Sequence, residues 1–206
     1  MHKYFPALLA SLLLANASTA LAASQIDLSV TGVITPKACT PGLSDGGTVD
    51  HGKLTSRDLN QDRDTLLPRN TLRLNVQCEG STLFALTTID NRHGTAVIPN
   101  HHGLGTTPND ENLGSVSLTL NNPVADTQAV RTIVSLDGGT TWTPGTQLGH
   151  LNLLAVAAAD NATQPMAVTV FDADIVLYTR IARADGLTLT DEVLVDGHAT
   201  LEMKYL

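Results

Sequence analysis

From Thr71 to Tyr205 the sequence returns repeatedly to a two-residue period, apolar then polar. No segment sustains the 3.6-residue period of an amphipathic helix. Leu72, Leu74 and Val76 alternate with polar neighbours in 71–78, and 82–89, 116–120 and 131–135 are further strand-like runs. Residues 167–181 read as one long strand with Val168, Val170, Ile175, Leu177 and Ile181 on alternating positions. The Ala-rich run 151–159 reads as a buried strand, and 187–189 as a short one. Residues 40–53 are turn-rich, 54–67 have room for a short helical turn, and 90–114 read as a long loop. Half-buried strands separated by Gly, Pro and Asn turns hide their apolar faces by packing sheet on sheet. The expected fold class is an all-β sandwich.

Charge narrows the function classes. Among 206 residues there are 12 Lys+Arg and 20 Asp+Glu, a formal net charge of −8. The basic residues do not cluster, so a nucleic-acid partner is excluded. The chain opens with Met1-His2-Lys3, an apolar run centred on 7–15, and Ala20-Leu21-Ala22. That order predicts a secretory signal over 1–22, with an apolar core too short to span a bilayer. In an oxidising compartment the two cysteines, Cys39 and Cys78, are expected to pair. Closing that loop of about 40 residues contributes about 4 kcal/mol by the chain-entropy estimate.

Two local patterns carry possible chemistry. Ser135, Asp137, Gly139, Thr141 and Trp142 fit the Ser-x-Asp-x-Gly-x-Thr-Trp pattern of an Asp-box. Gly138-Gly139 tolerate positive φ, Asp137 can bond backbone amides, and Trp142 can pack behind; the box is expected to be a structural hairpin turn. His51, His93, His101, His102, His150 and His198 form the second set. Adjacent imidazoles on a loop without Cys or spaced carboxylates do not make a metal site, so these are expected to be solvated loop residues. No phosphate loop, nucleophile elbow or zinc-protease motif is present, and neither catalysis nor a cofactor is expected.

Both ends of the exported chain are alternating strands. Ile26, Leu28 and Val30 precede Gly32-Val33-Ile34 and Ala38-Cys39; Ala199, Leu201, Met203 and Tyr205 lie at the C-terminus. In this order of signal, alternating segment, Gly-x-hydrophobic strand, two cysteines and penultimate Tyr, the chain resembles the chaperone–usher pilus (fimbrial) subunits. It is most similar to their β-fimbrial major subunit branch (DUF1120-like), through Ile34-Thr35-Pro36-Lys37-Ala38-Cys39-Thr40-Pro41 and Asp196-Gly197-His198-Ala199-Thr200-Leu201 running to Tyr205-Leu206. The usual Gly fourteen residues from the C-terminus is replaced by Val193.

The resemblance implies an immunoglobulin-like sandwich over 32–206 that lacks its last strand, preceded by a donor extension over 23–31. Ile26, Leu28 and Val30 would enter a neighbouring subunit's groove. Ala199, Leu201, Met203 and Tyr205 would line this subunit's own groove and meet a periplasmic chaperone before assembly at an outer-membrane usher. The expected product is a cell-surface fimbrium; a tip adhesin for a host glycan or protein, using the 90–114 loop, is the other reading.

Overall fold

The computed structural model describes residues 38–206; the candidate donor residues Ile26, Leu28 and Val30 lie outside them. Thirteen strands follow in order. They are β1 (Cys39–Leu43), β2 (Thr65–Leu66), β3 (Asn70–Thr82), β4 (Phe84–Asp90), β5 (His102–Gly103), β6 (Gly114–Ala125), β7 (Gln128–Ala129), β8 (Arg131–Ser135), β9 (Thr143–Pro144), β10 (Gln147–Leu148), β11 (Leu153–Ala157), β12 (Val168–Ile181) and β13 (Ala199–Tyr205). Among the described residues the only helical elements are three short 3-10 turns.

The strands form two sheets. One runs β1-β3-β12-β6-β10, with the short β2, β5 and β7 at its margins; the other runs β13-β4-β11-β8-β9. Alternation dictates what lies between them. Leu74 and Val76 of β3, Leu118 and Leu120 of β6, and Phe171 and Ile175 of β12 face Phe84 and Leu86 of β4 and Leu154 and Val156 of β11 in one core. Phe84 and Phe171 meet edge to face at 6.2 Å across the layer, a geometry the ring quadrupoles favour.

The spatial order is that of an immunoglobulin-like sandwich. β1, β3, β12 and β6 occupy the A-B-E-D sheet, and β4 and β13 the C and F positions of the other. The segment from β7 to β11 is an added excursion that widens the second sheet. The G position, beside β13, holds no strand among the described residues.

Three departures from the sequence expectations have local causes. Residues 39–43 form an edge strand, in register from Cys39 opposite Cys78 to Leu43 opposite Leu74; an edge tolerates Pro41, whose missing N–H an interior strand could not spare. Residues 187–189 form no strand. The amide of Leu187 donates to the Ala184 carbonyl and that of Thr188 to the Glu111 carboxylate, so these donors are already satisfied. Along β12 the register slips between Val168 and Val170. The bulge shifts the inward phase, so Phe171, Ala173 and Ile175 are buried while Val170 is only half-buried.

Candidate functional site

The edges of the two sheets on one side of the sandwich are β1 and β13. β13 pairs only with β4 among the described residues, in register from Ala199 opposite Asp90 to Tyr205 opposite Phe84. Among the described residues its opposite edge has no strand beside it, and such an edge carries a row of backbone donors and acceptors. Leu201 and Met203 pack on the core, Ala199 and Leu201 line the opening, and Tyr205 remains exposed. The two edges are tied where the Cys39 amide donates to the Tyr205 hydroxyl at 3.0 Å. The Cys39–Cys78 disulfide joins β1 to β3.

Between the sheets on that side lies a cleft of about 210 Å³. Its body is apolar: Leu43, Leu72, Leu118, Ile175, Leu177 and Leu201 line it. One end is polar, lined by His51, His102, His198, Thr88 and Thr179. An open strand edge above an apolar cleft is the geometry that admits an extended peptide. The backbone row supplies hydrogen bonds and the cleft takes alternate side chains.

The polar end is built by β5. His102 is buried, 1% exposed, contrary to the expectation of a solvated loop. Its Nε2 is 2.7 Å from the Thr88 hydroxyl on β4, and the next amide, Gly103, donates to Asp90 Oδ2 at 3.1 Å. The two bonds staple β5, a margin of the first sheet, onto the second. Burial pushes the His102 pKa below its ordinary value, more strongly than the Asp90 carboxylate pulls it up; His150 and His101 lower it further, against a hydrogen bond to the Val116 backbone. His51 sits across the cleft mouth with Nε2 2.9 Å from the Thr179 hydroxyl. Burial lowers its pKa too, against the pull of Asp50. Nothing in the sequence singled out Thr88, Asp90 or the burial of His102, because that contact depends on β5 crossing between sheets.

The Asp-box lies away from the cleft. Asp137 accepts from the Thr141 amide at 2.9 Å and the Thr141 hydroxyl at 2.6 Å, and the Ser135 hydroxyl donates to its Oδ1 at 2.7 Å. The Gly139 amide donates to Ser135 Oγ at 2.8 Å. Gly138 and Gly139 hold φ of 73° and 99°, a region that favours glycine. The turn folds Trp142 back, its indole N–H donating to the Gly139 carbonyl at 3.0 Å. The ring joins Ala85, Ile133, Ala155 and Ala157 in a second cluster on the outer face of the β4-β11-β8 sheet. It is buried and offers no open face to a sugar. Among the described residues no three His, Cys, Asp or Glu side chains are placed to hold a metal ion.

Comparison with known proteins adds the following. Residues 28–102 match the family model described as "Protein of unknown function (DUF1120)". The chain is similar to Protein GltF of Escherichia coli (strain K12), 38% identical over 78 residues, which are 36% of this chain and 31% of that protein. It is also similar to Uncharacterized protein YhcF of the same organism, 32% identical over 76 residues, 37% of this chain and 32% of that one. The matches thus span about a third of those relatives' length. Among solved structures, the P pilus rod subunit PapA aligns with 12% identity and a TM-score of 0.37, over 81% of this chain and 99% of that one.

Proposed function

We propose that this chain is a structural subunit of a surface fimbria whose sandwich is completed by a strand supplied in trans. The observation that carries the reading is the edge of β13, which has no partner strand among the described residues and lies above the apolar cleft. A cleft of that kind is costly to leave in water, and an inserted strand would satisfy the backbone row and bury the leucines together. The alternating segment 23–31 is the proposed donor, with Ile26, Leu28 and Val30 of one copy entering the cleft of the next. In the same reading a periplasmic chaperone occupies the cleft first, an outer-membrane usher exchanges the two strands, and the subunit ends on the cell surface. Its role is then mechanical rather than catalytic.

The test is strand complementation. Residues 23–31 are deleted from the N-terminus and restored behind Leu206 through a short flexible linker. The deletion variant is expected to need a chaperone or to aggregate, and the complemented variant to be monomeric with a raised melting temperature. A deletion variant that stays a monomer without a chaperone and gains nothing from the appended strand overturns the proposal.

A further inference from the structure

We propose that the His102 staple makes the cleft acid-sensitive, so that it holds an inserted strand at neutral pH and releases it as its polar end takes up protons. This rests on the cleft being a strand acceptor.

The staple sits one strand from the open edge. Thr88 and Asp90, its two anchors on β4, lie directly opposite Leu201 and Ala199 of β13. Any displacement of β5 therefore changes the wall on which an inserted strand would lie. The surroundings of His102 accept a neutral ring and resist a charged one. Beside it, Nδ1 of His101 and Nδ1 of His150 are buried with no hydrogen-bond partner among the described residues. The His150 ring stands edge-on at 5.2 Å, with His93 a further 6.1 Å from His150. The Arg180 cation bears on His101 from β12. Asp90 is the carboxylate that faces this group, and its two oxygens already accept from the Arg92 and Gly103 amides. A proton on His102 therefore arrives in a buried site beside other imidazoles, where the pull of the Asp90 carboxylate and a hydrogen bond to the Val116 backbone do not offset the loss of water. The relief available is for the ring to leave Thr88 and swing outward or admit water, which opens the staple.

His51 repeats the arrangement from the other wall. It is half-buried against Thr179 of β12 with Asp50 beside it. His198 lines the same end immediately before β13. An apolar strand seated in the cleft would remove the half-buried His51 further from water and make its protonation harder. Binding linkage is reciprocal, so protonation weakens the seated strand by the same factor.

The experiment uses the full chain and a labelled peptide of residues 23–31, with affinity read by fluorescence anisotropy from about pH 7.5 to about pH 5. The peptide's one titratable side chain, Asp27, stays ionised throughout this range because its ordinary pKa is about 3.9. Affinity is expected to fall at least about tenfold on acidification, and by less than about threefold in His102→Gln, whose amide can still bond Thr88 without taking a proton. Should His102→Gln not fold, the Gly103 amide in the unaltered chain gives the second readout. Its exchange, corrected for the intrinsic pH effect, should accelerate on acidification in step with peptide loss. Tight binding that does not change with pH, or a Gly103 amide equally protected at both ends, overturns the acid-sensitive staple and leaves the strand acceptor standing. Failure of the peptide to bind at any pH overturns the acceptor reading, and this inference with it.

Discussion

The backbone amide of Cys39 donates to the side-chain hydroxyl of Tyr205 at 3.0 Å, across 166 residues of sequence. It joins the edge of one sheet to the edge of the other at the end of the cleft away from His102. Removing the hydroxyl in Tyr205→Phe keeps the ring and deletes one half-exposed hydrogen bond. The expected loss is about 0.5–1 kcal/mol, the low end for a neutral bond near water. Urea unfolding measures it, and amide exchange at Cys39 should quicken in the same variant. An unchanged Cys39 amide would mean the bond does not hold the edge.

The disulfide secures the same edge covalently. Among the described strands β1 pairs with β3 alone, and Cys39 sits directly opposite Cys78 at its first register position. Replacing both cysteines by Ser is expected to cost about 2–5 kcal/mol. The loss should appear first as proteolysis near residues 39–47, because β1 is the element the bridge retains. Reductant should reproduce the effect in the unaltered chain and do nothing further to the variant.

Period-two alternation made most of the sandwich legible: β3, β4, β8, β12 and β13 fall where Leu74, Leu86, Ile133, Ile175 and Leu201 recur. Of the four residues expected along a groove, Ala199 and Leu201 line the cleft, while Met203 packs on the core and Tyr205 is exposed. What the pattern could not carry was anything decided by a partner distant in sequence. β5 is two residues long and is held by β6 on one side and by Thr88 and Asp90 of β4 on the other, so His102 looked like loop. The bulge in β12 is equally hidden, since a slipped register leaves composition unchanged. It yields a paired prediction. Phe171→Ala should cost about 3–5 kcal/mol as a buried ring. Val170→Ala should cost well under half of that, because the slip turns Val170 partly to solvent. Comparable losses at the two positions would place the bulge elsewhere.

Acid should destabilise the fold before its carboxylates titrate. His51 and His102 both hold pKa values below the ordinary 6.5, chiefly through burial. As pH falls through about 6.5, the unfolded chain takes up protons that the folded chain refuses, and stability drops; it levels once the lower folded-state values are passed. Urea midpoints should therefore decline between about pH 7 and pH 5.5. The double variant His51→Gln, His102→Gln should show a flatter profile across that window. A decline of equal steepness in the variant would assign the effect to other groups.

Asp137 acts in a lower window and in the same direction, losing stability as pH falls. Hydrogen bonds from the Thr141 hydroxyl and amide, and then from Ser135, hold its pKa down from 3.8 to about 2. A folded-state value below the unfolded one means the ionised carboxylate stabilises the fold. That contribution is complete above about pH 4 and is lost as pH falls through about 2. Asp137→Asn keeps the shape of the side chain but cannot accept from Thr141 on both oxygens. Its melting temperature should lie below that of the unaltered chain at pH 7, with the gap narrowing steadily once the pH is taken below 4. Trp142 supplies the local readout, since the turn is what folds the indole onto Ile133 and Ala155. Its fluorescence should shift to the red in Asp137→Asn at neutral pH and in the unaltered chain near pH 2. An indole that stays blue-shifted in both would mean that the second cluster, rather than the Asp137 bonds, holds the turn closed.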